Sequence, residues 1–466
     1  MTLFGTAGIR GPVEDVSPSL ALAVGQAAGD PGETFVVGRD GRETGPALAA
    51  AMTAGLESAG ADVRQIGQVP TPALAFASRG RRGVMLTASH NPPADNGIKL
   101  FVDGVEYDSD AERTIDDRVA SENARLARWD EWGESERLAV LDRYLEAVEG
   151  YVRERFGTQN PEDETPDDPL AGLRIAVDCG NGVGALATPQ LLERLGATVV
   201  AVNASVDGHF PGRESKPTPE TLSEFIAFLR DGDFDLGLAH DGDADRLVVL
   251  GPDGAVIHED TVLAVVAARY TADSDADDPV VVTTPNASAR IDERVRAAGG
   301  RVERVRLGSL HEGIARERSR GSADTEIVFA AEPWKHIHTA FGGWIDGVVS
   351  AAVVAALVAD AGDTDQLRDP VTERPYRKVS IDCPDAVKAD VMAALETELP
   401  AAFPEATVET EYGIRLEFAD ASWLLVRPSG TEPYIRLYVE SDDIDALVAD
   451  ARAVLESAVA DATPDS

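Results

Sequence analysis

The chain has 466 residues, too many for one hydrophobic core, and an apolar fraction of 44% predicts a soluble protein of roughly three or four domains. Its 82 acidic and 42 basic residues give a net charge of -40 spread along the whole length, which excludes the basic face a nucleic-acid partner needs and points to a cytoplasm of very high salt, as in haloarchaea. Two cysteines, Cys179 and Cys383, imply no disulfide framework, and the longest apolar run, near 348–358, is too short to span a bilayer, so a cytoplasmic chain with no membrane partner is expected.

In chain order, "FGTAGIRG" comes first, with Gly5, Gly8 and Gly11 allowing close backbone approach and Thr6 and Arg10 offering a hydroxyl and a cation. A unit of apolar strand, polar or Gly-containing loop, helical stretch and second strand then recurs three times. "TFVVGRDGRETG" leads to "ESAGADVRQIG", "LRIAVDCGNGVG" to "LERLGATVVAVN", and "PVVVTTPNAS" to "VRAAGGRVERVRLG". This is the βαβ pattern of largely parallel sheets covered by helices. Arg39 and Arg42 in the first unit are further weak candidates for an anion.

The charged, Pro-bearing stretch 156–170 reads as a linker, and the second unit gives way to the third near Gly251–Gly254. The predicted domains are 1–156, 171–251 and 252–368, followed at 376–460 by a smaller α+β domain of short strands and a last amphipathic helix.

Inside the first unit, "TASHNPPADNGIKLF" at 87–101 is a turn-rich loop between two apolar strands. It places Ser89 just beyond a strand's carboxyl end, where open α/β sheets bind ligands. Ser89 is a candidate phosphoryl carrier, and Lys99 a group to move a proton or neutralise a phosphate. Lysine is informative because only five of the 42 basic residues are lysine. Lys388, on a helical pattern, reads as an ordinary surface lysine.

Two acidic triplets share one spacing, "DGDFD" at 231–235 and "DGDAD" at 241–245. Only Asp241, Asp243 and Asp245 follow a strand's carboxyl end, and they are closed by Arg246. Alternate residues of an extended loop share a side, so three hard oxygen donors converge and suit Mg²⁺. The first triplet reads as a solvated turn. Near the C-terminus "RPSGTEPYIR" sets a Ser-Gly-Thr turn between Arg427 and Arg436, a concavity of N–H groups, hydroxyls and guanidinium suited to phosphate.

Together and in this order, these motifs resemble the α-D-phosphohexomutase superfamily over nearly the whole chain. The resemblance implies three similar mixed or parallel-sheet α/β domains and a smaller C-terminal α+β domain, in a four-domain, heart-shaped arrangement around a central cleft. It implies Ser89 as phosphoserine, one Mg²⁺ per chain held by Ser89, Asp241, Asp243 and Asp245, and Lys99, His90 and Arg10 as catalytic groups. Arg427, Ser429, Gly430, Thr431 and Arg436 would bind the phosphate not being transferred. Thr6, Arg246, Gly308, Glu332, Trp334, Lys335 and His336 are the implied substrate contacts, with Ser309 and His311 weaker ones.

The activity implied is a phosphosugar mutase moving phosphate between the 1- and 6-positions of a hexose phosphate, with glucosamine, mannose or glucose as the sugar and a sugar bisphosphate as intermediate and activator. The chain would be a monomer or homodimer. One departure bears on substrate. Where the family carries Gly-Glu-x-Ser-Gly-His, this chain has "AEPWKH" at 331–336, so Trp334 replaces a hydroxyl-reading serine and Lys335 a glycine. That suits a smaller sugar such as a pentose phosphate, or a stacking face; a non-catalytic sugar-phosphate-binding homologue and a Mg²⁺ phosphatase, in which water intercepts phospho-Ser89, are the remaining alternatives. Hinge motion of the last domain is expected near 366–378.

Overall fold

The computed structural model describes residues 3–5, 8–121, 126–157, 168–429 and 432–463. Thr6, Gly430, Thr431 and most of the expected linker lie outside the described residues. The chain divides into two compact units, Met1–Val262 with Phe329–Arg368, and Leu263–Val328 with Asp369–Ser466.

The first unit holds a seven-stranded sheet in the order Ile9–Pro12, Asp95–Val102, Arg82–Leu86, Thr34–Arg39, Asp62–Gln68, Ser135–Arg137, with Val105–Glu106 folded back on Asp95–Val102. Thr34–Arg39 is parallel to both its neighbours, whereas Asp95–Val102 runs antiparallel to Arg82–Leu86. That reversal follows from the short Pro- and Asn-rich connection at 87–94, which leaves no room for a crossover helix. A four-stranded sheet follows, in the order Leu247–Leu250, Leu236–His240, Arg174–Asp178, Thr198–Val202. Only its Leu247–Leu250 edge is antiparallel, after the tight turn at 241–246. The apolar run near 348–358 is the helix Gly347–Ala361, buried all round and capped by the Asp346 carboxylate, which accepts from the Val348 and Val349 amides. Among the described residues no helix is long and apolar enough to cross a membrane.

In the second unit, Asp278–Thr283 pairs parallel with Arg301–Arg304. The C-terminal region is a five-stranded antiparallel sheet in the order Tyr376–Asp382, Tyr434–Glu440, Trp423–Pro428, Ile414–Glu417, Thr407–Glu409. Alternation assigns its faces. Leu424 and Val426 pack with Leu395, Leu399 and Leu455 of the helices Lys388–Ala402 and Ile444–Ala462, whereas Trp423 and Leu425 turn to Ala289.

Buried guanidinium groups fasten that second face to the 263–328 segment. Arg290 Nη2 lies 2.7 Å from Glu440 Oε1, Trp423 Nε1 donates to Glu440 Oε2 at 2.7 Å, and Arg415 Nη1 donates to the Pro285 carbonyl at 2.5 Å. Arg374, inside the expected hinge, is held by Glu293 at 3.0 Å. Within this unit these contacts join the C-terminal sheet to the 263–328 segment.

Candidate active site

The loop at 87–94 is shaped from outside itself. Arg42, wholly buried, passes its guanidinium into the loop and has every N–H engaged: Nε on Asp40 Oδ2 at 3.1 Å, Nη1 on the carbonyls of Pro92 and Asp95, and Nη2 on those of Ser89 and Asn91 at 2.9 and 2.7 Å. Asp40 Oδ2 also accepts from the Thr87 hydroxyl at 2.7 Å, and Thr87 Oγ1 accepts from the Ser89 amide at 2.9 Å. Arg42, considered from the sequence as an anion-binding cation, is thus fully engaged by the protein. Its framework holds Ser89 at φ 52°, in the left-handed region that a non-glycine residue occupies only under tertiary constraint.

Ser89 Oγ donates to Asp241 Oδ2 at 2.6 Å and lies 3.3 Å from His90 Nδ1. The two loops approach this closely because residue 242 is glycine: a Cβ there would fall 2.6 Å from the Ser89 carbonyl oxygen.

The aspartate loop has its own brace. Its carbonyl acceptor fixes the proton on His240 Nδ1, which donates to the Arg246 carbonyl at 2.8 Å, so Nε2 accepts from the Thr188 hydroxyl at 2.8 Å. The imidazole thereby joins the last strand residue to the far end of the turn. Arg213 backs the same strand end, with Nη2 on the His240 carbonyl at 2.6 Å and Nε on Asp178 at 2.7 Å. Burial lowers the His240 pKa to about 4, so the ring is neutral at pH 7.

Asp241, Asp243 and Asp245 are buried, each with a carboxylate oxygen within 4.8 Å of the others. Asp231, Asp233 and Asp235 are exposed, as a solvated turn requires. Lys99 Nζ lies 2.9 Å from Asp245, 3.4 Å from Asp243 and 3.6 Å from Glu106, and the Thr71 hydroxyl donates to Asp243 Oδ2 at 2.7 Å. Burial, with Asp245 and Asp243 as like-charged neighbours, raises the Asp241 carboxyl above the usual carboxylate range. Burial also opposes ionisation of Asp245, but Lys99, Lys335 and Arg246 outweigh it and hold that carboxyl well below the usual range. Burial works against the Lys99 charge too; Asp245, Asp243 and Glu106 overcome it and keep the ammonium.

Asp243 Oδ1 and Asp245 Oδ1 are buried with no hydrogen-bond partner. Three hard carboxylates, two with an orphaned oxygen, beside a serine hydroxyl fit a divalent cation that prefers oxygen ligands. His90, expected to move protons or orient phosphate, is neutral at pH 7, because burial, Arg246 and Arg10 lower its pKa to about 3. Arg10 Nε and Arg246 Nε are buried without a hydrogen-bond partner, the latter 3.8 Å from Asp241 Oδ2.

The expected sugar-reading residues separate into two groups. Glu332 and Lys335 form a half-buried pair at 3.2 Å at the turn between Thr325–Glu332 and Lys335–Ile337. Trp334 takes the turn position at φ 68°, accepts at its carbonyl oxygen from the Leu247 amide and packs on the apolar cluster of the second sheet. His336 is a correction. It points into the core against Phe329, 1% exposed, with Nδ1 3.1 Å from Ser350 Oγ, because cross-strand pairing with Ala331 turns it away from the turn. Ser350 Oγ donates to the Asp346 carbonyl, so His336 Nδ1 and His338 Nε2 both donate to that oxygen.

Burial lowers His336 to about 4 from 6.5, so its neutral form is favoured by folding. The unfolded chain binds the extra proton between these values, and stability carried by this histidine is present above pH 6.5 and is lost as pH falls toward 4. Relative to a His336→Gln variant, the wild type is expected to lose about 2 kcal/mol between pH 7 and pH 5 in urea unfolding. An equal pH slope for the two proteins would refute this.

In the second unit, Gly308 is exposed at φ 78° before the helix Leu310–Arg320, with Ser309 and His311 half-buried beside it. Arg427 and Arg436 stand directly opposite one another on adjacent strands. Like charges so placed repel. Arg427 Nη1 and Arg436 Nε are buried with no hydrogen-bond partner, although another Arg436 nitrogen contacts the Tyr434 hydroxyl. The next turn begins at Ser429, whose Oγ accepts from the Glu432 amide at 3.1 Å. The chemistry of this pair of guanidiniums suits an anion. Lys388, read as an ordinary surface lysine, instead reaches this turn: Nζ donates to the carbonyls of Ser429 at 2.9 Å and Glu432 at 2.5 Å.

A constrained serine beside a carboxylate triad, on mixed α/β sheets followed by a C-terminal antiparallel domain, has the make-up of a phosphosugar mutase. Residues 1–126 and 142–254 match phosphoglucomutase/phosphomannomutase alpha/beta/alpha domains I and II, and 386–456 match the C-terminal domain of that family. A phosphopentomutase of Thermococcus kodakarensis is 40% identical over 95% of this chain and 94% of its own length. A probable phosphoglucosamine mutase of Methanopyrus kandleri is likewise 40% identical, over 94% of each. A crystal structure of a phosphoglucomutase/phosphomannomutase family protein from Burkholderia thailandensis superimposes with a TM-score of 0.84 at 26% identity, covering 100% of this chain and 98% of that one. The chain belongs to the phosphoglucomutase/phosphomannomutase family of the α-D-phosphohexomutase superfamily, and it is a mutase, an isomerase.

Proposed function

We propose that the protein interconverts the 1- and 6-phosphates of a hexose, glucosamine, mannose or glucose, through a phosphoserine at Ser89. The observation that carries this is the Ser89 hydroxyl, held in a left-handed turn and hydrogen-bonded at 2.6 Å to Asp241 of the buried triad. In the first transfer the Ser89 Oγ–P bond breaks as a bond forms from phosphorus to a hydroxyl oxygen of the sugar phosphate, the proton of that hydroxyl passes to the departing Ser89 Oγ, and the sugar bisphosphate results. After the sugar reverses, the O–P bond at its other end breaks as Ser89 Oγ bonds to that phosphorus, and the Ser89 hydroxyl proton passes to the oxygen left on the sugar.

The transition state of such a transfer is loose, so positioning and charge matter more than base strength. Lys99, kept protonated by its carboxylate neighbours, supplies fixed positive charge, and Arg10 and Arg246 have nitrogens free for phosphoryl oxygens. Ser89, Asp241, Asp243 and Asp245 would hold Mg²⁺, which when bound neutralises charge on the transferring group. Arg427, Ser429 and Arg436 are the proposed groups for the phosphate that is not transferred; guanidinium and hydroxyl donors read phosphate rather than sugar, so either end of the substrate would suit them.

A second reading, a phosphopentomutase acting on ribose 1- and 5-phosphates, is favoured by two observations: Trp334 fills the turn where a hydroxyl-reading serine would sit, and a relative of that name is 40% identical. Incubation with Mg²⁺, trace sugar bisphosphate and a panel of hexose and pentose 1-phosphates decides. A 6-phosphate product is expected; 5-phosphate alone would establish the second reading, and free phosphate or no reaction would refute both.

A further inference from the structure

We infer that Thr71 is a positioning residue that fixes which oxygen Asp243 offers to a divalent cation, and that it thereby favours Mg²⁺ over Ca²⁺. The inference deepens the proposed function and rests on its assignment of the aspartate triad to a metal.

Thr71 is buried and lies 172 residues before Asp243 in the chain, yet it bonds that residue twice. Its amide donates to the Asp243 carbonyl at 3.0 Å, and its hydroxyl donates to Asp243 Oδ2 at 2.7 Å. The amide can do so because Thr71 opens the helix Thr71–Ala77, and the first N–H groups of a helix have no partner within it. Pro70 and Pro72 on either side restrict the backbone that carries the hydroxyl.

The carboxylate oxygens of Asp243 and Asp245 divide accordingly. Lys99 Nζ lies 2.9 Å from Asp245 Oδ2 and 3.4 Å from Asp243 Oδ2, and Thr71 converges on the second of these. Each Oδ2 is thus engaged by the protein, and each Oδ1 is buried without a hydrogen-bond partner. Of the two groups that hold Asp243 Oδ2, Thr71 is the uncharged one. It orients the carboxylate without cancelling the negative charge that attracts a cation.

Ion choice follows from that orientation. Mg²⁺ demands near-ideal octahedral geometry, which a two-oxygen bite from one carboxylate distorts, whereas Ca²⁺ accepts carboxylates through one oxygen or two. A carboxylate with one oxygen tied to a hydroxyl gives the other alone. Without that hydroxyl, Asp243 Oδ2 keeps only the longer contact to Lys99, and the group can turn both oxygens toward the ion. That freedom weakens Mg²⁺ binding and leaves Ca²⁺ binding nearly as it was.

The test uses the full chain, freed of metal by a chelator and without sugar phosphate. Dissociation constants for Mg²⁺ and Ca²⁺ are read from displacement of Mn²⁺, followed by electron paramagnetic resonance. Thr71→Val, which keeps the shape and removes the hydroxyl, is expected to raise the Mg²⁺ constant about tenfold or more and the Ca²⁺ constant less than about threefold. Thr71→Ser is expected to restore the wild-type ratio, and Thr71→Ala takes the place of the valine variant should that one not fold. Thr188→Val removes a hydroxyl that braces the same loop through His240 rather than through an aspartate, so it is expected to leave the ratio unchanged. The inference fails if Thr71→Val leaves both constants at wild-type values, raises both equally, or is matched by Thr188→Val in its effect on the ratio. If the wild type binds none of Mg²⁺, Mn²⁺ and Ca²⁺, the metal assignment of the triad is itself wrong, and Thr71 loses its role with it.

Discussion

Ser89→Ala is expected to lower kcat for isomerisation by about 10⁴-fold or more, with KM for the sugar phosphate nearly unchanged. The substitution removes the atom that would carry the phosphoryl group and leaves every other group in place. The loop keeps its form, since Arg42 and Thr87 hold it through backbone atoms of residue 89. Only the hydroxyl's contacts to Asp241 and His90 are lost, so unfolding in urea should shift little. Intact-mass measurement supplies the second readout: protein incubated with sugar bisphosphate gains about 80 Da, and the variant does not. A variant that isomerises at wild-type rate would overturn the phosphoserine reading.

Arg42→Met is expected to damage activity and stability together. Asp40 becomes a buried carboxylate without its cation, at a cost of about 3–5 kcal/mol. The carbonyls of Ser89, Asn91, Pro92 and Asp95 lose their donor at the same time. With nothing to hold Ser89 in the left-handed region the loop relaxes, and a displacement of about 1 Å at the serine is worth about hundredfold in kcat. Arg42→Lys should recover little, because three N–H groups cannot serve five acceptors lying around a plane. Adding Asp40→Asn to Arg42→Met should return part of the stability and none of the activity, which separates the charge from the shape. Wild-type kcat in Arg42→Met would show that the loop sets its own conformation.

The pH behaviour of His336 and the contacts of Lys388 share a cause with these two results. Each concerns a side chain whose partner lies far along the chain: Ser350 for His336, Ser429 and Glu432 for Lys388, and the 89–95 loop for Arg42.

What the sequence determined by itself was local chemistry. The strand-loop-helix repeats, the short connection that forces Asp95–Val102 antiparallel, and the choice of Asp241, Asp243 and Asp245 over Asp231, Asp233 and Asp235 all depend on residues within about one unit of βαβ length, where turn preferences and strand alternation operate. Ser89 was legible for the same reason, as a hydroxyl at a strand's carboxyl end. Tertiary structure alone decided which charges are spent on the protein. Arg42 and Lys388 looked like free cations and are saturated by backbone carbonyls; Glu106 and His240 carried no signal and turn out to hold Lys99 and the aspartate loop. His336 matched its expected position and faces the core. The physical reason is that a polar side chain's role is fixed by the nearest acceptor or donor once water is removed, and in a buried site that neighbour comes from another element, at a sequence separation no local pattern encodes.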